Sequence, residues 1–205
     1  MATTISSGRA NSPKKLANIA DHGVIYGGRG LVFDGVVDYL KIDDTATFDI
    51  TSAITISVWI KPTAVSGVQR IVNKSAAYEV FMNDDEIELE INNGAPSALV
   101  STSAPFTAGV WQHLVITYDS TTANGYVNAN LEITNAPGEG AIDTNSNDVF
   151  IGTRQTLAQY FTGTMSDVKI FNTALTLAQI KELYLKPEQS APSAVRDNLV
   201  AWYPM

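Results

Sequence analysis

The sequence predicts an all-β fold, a sandwich or barrel of short antiparallel strands. Three observations point there. From Leu31 onward, short apolar segments are separated by turn residues at close intervals. Two segments alternate strictly. In "AITISVWIKP", Ile54, Ile56, Val58 and Ile60 share one face while Thr55, Ser57, Trp59 and Lys61 share the other. In "WQHLVITYD", Trp111, His113, Val115 and Thr117 lie opposite Gln112, Leu114, Ile116 and Tyr118. The punctuation is also that of strands: Pro62 ends the first alternating run because it cannot donate to a ladder, and Asn93-Gly94 is a tight-turn dipeptide.

In chain order, residues 1–27 are a turn-rich, extended lead-in, and "YGGRG" is the bend into the first strand. "LVFDG" and "DYLKI" open the sheets, followed by the Ile54 strand, "VQRIVNKS", "YEVFMNDD" and "EIELEINNG". The Trp111 strand comes next. "NGYVNANLEI" reads as a hairpin turning near Asn128 to Asn130, and "DVFIG" and "GTMSDVKIF" complete the strands. One segment departs from the β rhythm: Leu177, Ile180, Leu183 and Tyr184 recur at helical spacing in "TLAQIKELYL". Thr176 and Gln179 have capping-box form and Pro187 stops the helix. A polar linker with prolines then leads to "NLVAWYPM".

Composition narrows the function classes. Apolar residues make up 45% and charged residues 17% of the 205, enough for a substantial core. The net charge of −8 repels phosphate backbones, and the nearest basic cluster, Lys14-Lys15, is too small to overcome that, so nucleic acid is excluded as a partner. With no cysteine there is neither a disulfide framework nor a thiolate site. No apolar stretch is long enough to span a bilayer, and no secretory leader pattern follows Met1.

Four segments, "FDGVVDYLKI" (33–42), "ITISVWIKP" (54–62), "WQHLVITYD" (111–119) and "FTGTMSDVKIFNTALTLAQI" (161–180), resemble in order and spacing the laminin-G-like jelly-roll domains of the concanavalin A-like lectin/glucanase superfamily. The resemblance implies an antiparallel jelly-roll β-sandwich over residues 28–186 with one short C-terminal helix, two sheets around a single core, and residues 187–205 as linker and terminal strand. It also implies a non-catalytic module that binds glycans or protein neighbours on a cell or virion surface by hydrogen-bond and shape complementarity. The missing leader tilts the expected setting toward a phage or virus particle, with a secreted bacterial lectin or adhesin module as the alternative.

Candidate sites follow. Glu86, Glu88 and Glu90 line one face of a strand, with Ile87, Leu89 and Ile91 opposite. Superfamily glucanases carry a similar Glu-x-Asp-x-Glu stretch, which makes Glu86 and Glu90 the catalysts of the alternative reading, a laminarinase-like hydrolase; a solvated strand face is the favoured one. No catalytic residue is therefore assigned. Calcium is the one cofactor the family suggests. The family's first acid in the closing strand aligns with Ser166, and Asp167 comes one place later, so no calcium ligand is assigned there. "IDTNSNDV" offers oxygens from Asp143, Asn145 and Asn147 but lacks the glycine and distal glutamate of a calcium loop. His113 is expected to pack structurally, and His22 stands far from it. The binding residues are left unassigned, with Asn73, Tyr78, Asn83, Asp84 and Tyr160 as loop, edge or face candidates.

The terminal "LVAWYPM" resembles the strand with which such domains often begin. Three arrangements follow: the start of a second module, which is favoured because the run lacks the acidic, glycine-rich continuation of the family, a strand folded back on its own sheet, or a strand donated to another copy in a homo-oligomer. In each, Trp202 is expected to be buried.

Overall fold

The computed structural model describes residues 29–92, 99–100, 105–137, 140–187, 189 and 191–205. The lead-in, His22 and the Asn93-Gly94 turn lie outside them. Thirteen strands follow in order among the described residues: β1 (Leu31–Asp34), β2 (Leu40–Ile42), β3 (Ile54–Pro62), β4 (Val68–Lys74), β5 (Tyr78–Asn83), β6 (Glu86–Ile91), β7 (Leu99–Val100), β8 (Gln112–Tyr118), β9 (Thr122–Val127), β10 (Asn130–Pro137), β11 (Val149–Ile151), β12 (Thr162–Phe171) and β13 (Leu199–Tyr203). One helix, α1 (Leu177–Leu185), precedes β13. The strands form two antiparallel sheets. One runs β1-β12-β3-β8-β9-β10 with β13 also on β12, and the other runs β2-β11-β4-β5-β6-β7. This is the antiparallel jelly-roll sandwich with one short C-terminal helix.

The alternation in the sequence decides which residues enter the core. Ile54, Ile56, Val58 and Ile60 of β3, with Leu114, Ile116 and Tyr118 of β8, meet Val72, Val80, Ile87, Leu89 and Ile91 of the opposite sheet. Each fully buried large aliphatic contributes about 1.5–3 kcal/mol relative to exposure. Two glycines allow close approaches that a side chain would block. A Cβ on Gly152 (φ +86°) would sit 2.5 Å from the Phe33 ring, and one on Gly163 (φ +146°) would sit 2.4 Å from the Lys61 carbonyl oxygen.

The other face of β3 and β8 is covered by α1, whose Ile180, Leu183 and Tyr184 are buried against that sheet. The capping box forms: the Gln179 N–H donates to Thr176 Oγ1 and the Thr176 N–H donates to Gln179 Oε1. Leu177, expected on the apolar face, is instead exposed, because it is the first residue of the helix and lies beyond the sheet contact. Thr55 Oγ1 donates to the Thr173 carbonyl and accepts from the Leu175 N–H, tying the approach to α1 onto β3.

The terminal run folds back on its own sheet. β1 and β13 lie end to end along one edge of β12, with Leu31 opposite Met165 and Tyr203 opposite Val168. At their junction β12 bulges between Ser166 and Lys169, and Asp167 adopts φ +54°. Its carboxylate pairs with the fully buried Lys169 ammonium and accepts from Trp202 Nε1 at 2.7 Å, while Ser166 Oγ donates to the Pro204 carbonyl at 2.8 Å. Trp202 is half-buried, short of the full burial expected.

Candidate functional site

The outer faces of the two sheets differ. α1 lies on that of the seven-stranded sheet. That of the six-stranded sheet carries polar and aromatic side chains in register, in three rows. The pairings Lys41–Phe150–Asn73–Glu79–Glu90 cross the sheet in one row, Arg70–Phe81–Glu88 in the next, and Val68–Asn83–Glu86 in the third. A bulge between Arg70 and Val72 puts Arg70 and Asn73, three apart in sequence, on the same face.

Arg70 is the centre of this face. Its Nη1 donates to Glu79 Oε2 at 2.8 Å and lies 3.7 Å from Glu90 Oε2, its Nε donates to Gln159 Oε1 at 2.8 Å, and its guanidinium sits 3.8 Å above the Phe81 ring. Both partners of the central pair are buried. Burial lowers the Arg70 pKa and raises that of Glu79, while each partner's charge opposes the other's shift. Residues 152–160 bend over the face: the Gln155 N–H donates to Asn73 Oδ1, the Arg70 N–H donates to the Gln159 carbonyl, and Arg154 Nε approaches Glu79 Oε2 to 4.0 Å. Around these buried groups stands a partly exposed rim of Lys41, Glu86, Glu90 and Arg154. Tyr39 packs on Phe150 with ring centroids 5.9 Å apart.

The site residues read from the sequence divide. Asn73 and Asn83 stand on this face, Asp84 in the β5–β6 turn accepts from the Gly67 N–H of the β3–β4 loop, and Tyr160 is half-buried in the loop following β11. Tyr78 is not a surface residue: it is fully buried in the core, with its hydroxyl donating to the Phe48 carbonyl. Glu86, Glu88 and Glu90 do share the outer face, but it is not simply solvated, since Glu88 is buried and accepts from Asn83 Nδ2 at 2.7 Å. Arg70, Glu79, Phe81 and Arg154 were not singled out in the sequence. The bulge at Ile71 shifts the strand parity there, so simple alternation puts Arg70 on the wrong side.

His113 is a packed residue under α1. It is buried, bonded to Ser57 Oγ at 2.8 Å, and stacked on Trp59 and Tyr184 at 5.2 and 6.0 Å between ring centroids. Burial, with the Lys169 charge nearby, lowers its pKa to about 3. Among the described residues no group of three or more His, Cys, Asp or Glu could hold a metal ion. Ser166 and Asp167 are engaged with β13 as above, while Asn145 and Asn147 turn their side-chain amides to the Ser75 carbonyl. No helix among the described residues is long and apolar enough to cross a membrane.

Comparison with known proteins places this geometry. No curated protein matches the chain in sequence. Several solved structures share its fold. One, from Bacteroides ovatus and provisionally named a carbohydrate binding protein, superposes with a TM-score of 0.66 at 18% identity over 86% of this chain, which spans only 52% of that one. Domain 4 of an extracellular GH43 arabinanase from Geobacillus stearothermophilus, in complex with arabinotriose, gives 0.59 at 19% identity, covering 77% of each chain. The CBM40 of a Ruminococcus gnavus sialidase, bound to α2,3-sialyllactose, gives 0.58 at 15% identity, covering 76% of this chain and 98% of its own. At these identities the likeness concerns the fold. The family is carried by sequence: residues 34–181 match the laminin G-like family model of the concanavalin A-like lectin/glucanases superfamily, and the chain belongs to that family.

Proposed function

We propose that this protein is a non-catalytic carbohydrate-binding domain whose outer face on the six-stranded sheet takes a neutral oligosaccharide. The observation that carries the reading is the rim of Glu90 and Arg154, each within 4.0 Å of the buried Arg70–Glu79 pair beneath, with Glu86, Lys41 and the Tyr39–Phe150 rings on the same side of the sheet. Polar groups locked by a second layer, with aromatic rings alongside, suit recognition of sugar hydroxyls and C–H faces without large ordering cost. Four glutamates against Arg70, Arg154 and Lys41 make the face unfavourable to sialic or uronic acids. Lys41 is already paired with Asp43 and Asp148, and Arg70 with Glu79.

The carbohydrate-binding domains among the structural neighbours support this reading, and the extracellular arabinanase supports an extracellular surface setting. None of the neighbours named above is a viral protein, so the virion setting drawn from the sequence gains no support from them. The hydrolase alternative is disfavoured by the engagement of its carboxylates: Glu88, at the middle position of the motif, is buried and accepts from Asn83 Nδ2, and Glu90 Oε2 lies 3.7 Å from Arg70 Nη1. A glycan array tests the proposal. Neutral oligosaccharides are expected to bind, anionic ones to be rejected, and Glu90→Gln with Arg154→Ala to lose binding without loss of melting temperature. A blank array, or reducing-end release from β-glucans that Glu86→Gln abolishes, would overturn it.

A further inference from the structure

The Asn/Asp-rich loop that looked like an oxygen source for calcium closes around an ammonium group instead. Lys74, at the end of β4, is fully buried. Its Nζ donates to Asp44 Oδ1 at 2.5 Å, to the Asn147 carbonyl at 2.7 Å and to the Asn145 carbonyl at 3.0 Å, which uses all three of its protons. A fourth oxygen, Asp49 Oδ1, lies 3.8 Å away, buried and with no hydrogen-bond partner. The donors are two carboxylates and two peptide carbonyls, with no nitrogen or sulfur. That is the ligand chemistry of a hard cation such as calcium, and unlike that of zinc or copper.

The oxygens are held inward by bonds that do not involve the lysine. Asn145 Nδ2 and Asn147 Nδ2 both donate to the Ser75 carbonyl, at 3.0 and 2.8 Å, and the Asn147 N–H donates to Asn145 Oδ1 at 2.9 Å. The Asp44 N–H donates to Asp148 Oδ1 at 2.9 Å, and Asp148 is in turn paired with Lys41 at 2.8 Å. The cage is therefore organised by its surroundings, as second-layer contacts organise a metal site. Two aspartates against one ammonium also leave an excess negative charge, which a divalent ion would balance.

We propose that Lys74 supplies covalently the cation this oxygen cage is built to hold, so that the wild-type fold needs no metal here and loss of the amine converts the cage into a calcium site. Melting temperatures of the wild type and of Lys74→Ala, each in chelator and in millimolar calcium, test this, together with terbium luminescence sensitised by the neighbouring Tyr78. The wild type is expected to melt at the same temperature in both solutions and to give no terbium signal. Lys74→Ala is expected to melt lower in chelator and to recover about 5–10 °C at calcium about a hundredfold above its dissociation constant. It should also bind terbium saturably, and Lys74→Ala with Asp44→Asn should do neither. If Lys74→Ala does not fold in chelator, refolding restored by calcium supports the proposal, and failure to refold in both solutions overturns it. A folded Lys74→Ala without calcium response, or a wild type stabilised by calcium through Asp44, overturns it as well.

Discussion

Acid should weaken this fold through one buried imidazole. His113 lies under α1 against Trp59 and Tyr184, hydrogen-bonded to Ser57 and near the Lys169 ammonium, and its pKa falls from 6.5 to about 3 because burial and that ammonium oppose a second positive charge. The unfolded chain takes up a proton below pH 6.5 while the native chain stays neutral until about pH 3. The stabilisation is thus complete above the unfolded pKa and is lost as pH falls. Between pH 7 and pH 5 this one group removes about 2 kcal/mol. Urea unfolding at both pH values, for the wild type and for His113→Gln, isolates it, since every other titrating group is common to the two proteins. The variant is less stable overall, but its loss between pH 7 and pH 5 should be about 2 kcal/mol smaller than that of the wild type. Equal losses in the two proteins would show that His113 is not the group that carries the acid sensitivity.

Three further perturbations follow from the packing. Asp167→Asn keeps the left-handed backbone at the β12 bulge but strips the carboxylate from the buried Lys169, and is expected to cost about 3–5 kcal/mol in urea unfolding. Arg70→Met leaves Glu79 buried without its guanidinium and is expected to cost a similar amount, about 3–5 kcal/mol, with part recovered in the double variant with Glu79→Gln. Gly152→Ala drives a Cβ into the Phe33 ring at an unfavourable φ, and its melting temperature is expected to drop by an amount equivalent to about 1–3 kcal/mol.

The fold was legible in the sequence wherever strands keep period two. The alternation of β3 and β8 already separates the core residues Ile54 to Ile60 from the face that packs under α1, and Thr176 with Gln179 announces the helix start. The face of the six-stranded sheet was legible only in part. Glu86, Glu88 and Glu90 obey the alternation of β6, whereas the β4 bulge breaks the parity that would have placed Arg70 beside Asn73. Tyr78 misled because it begins a strand next to polar residues, yet register with Lys74 and Ile91 turns it inward. The sequence raised calcium at the Asn145 loop but not Lys74 as the cation that fills it. The cage around Lys74 is built from peptide carbonyls, which no side-chain motif encodes, and from aspartates about a hundred residues before the loop that faces them.

Backbone amide NMR of the wild-type protein, titrated with neutral oligosaccharides that score on the array, locates the sugar on the fold. Sugar bound on the six-stranded sheet is expected to shift amides on β4, β5 and β6 and on residues 152–160, including Asn73, Glu79, Glu90 and Arg154, with α1 and β8 unmoved. Shifts confined to α1, to the β12–β13 edge, or absent at saturating sugar would contradict it.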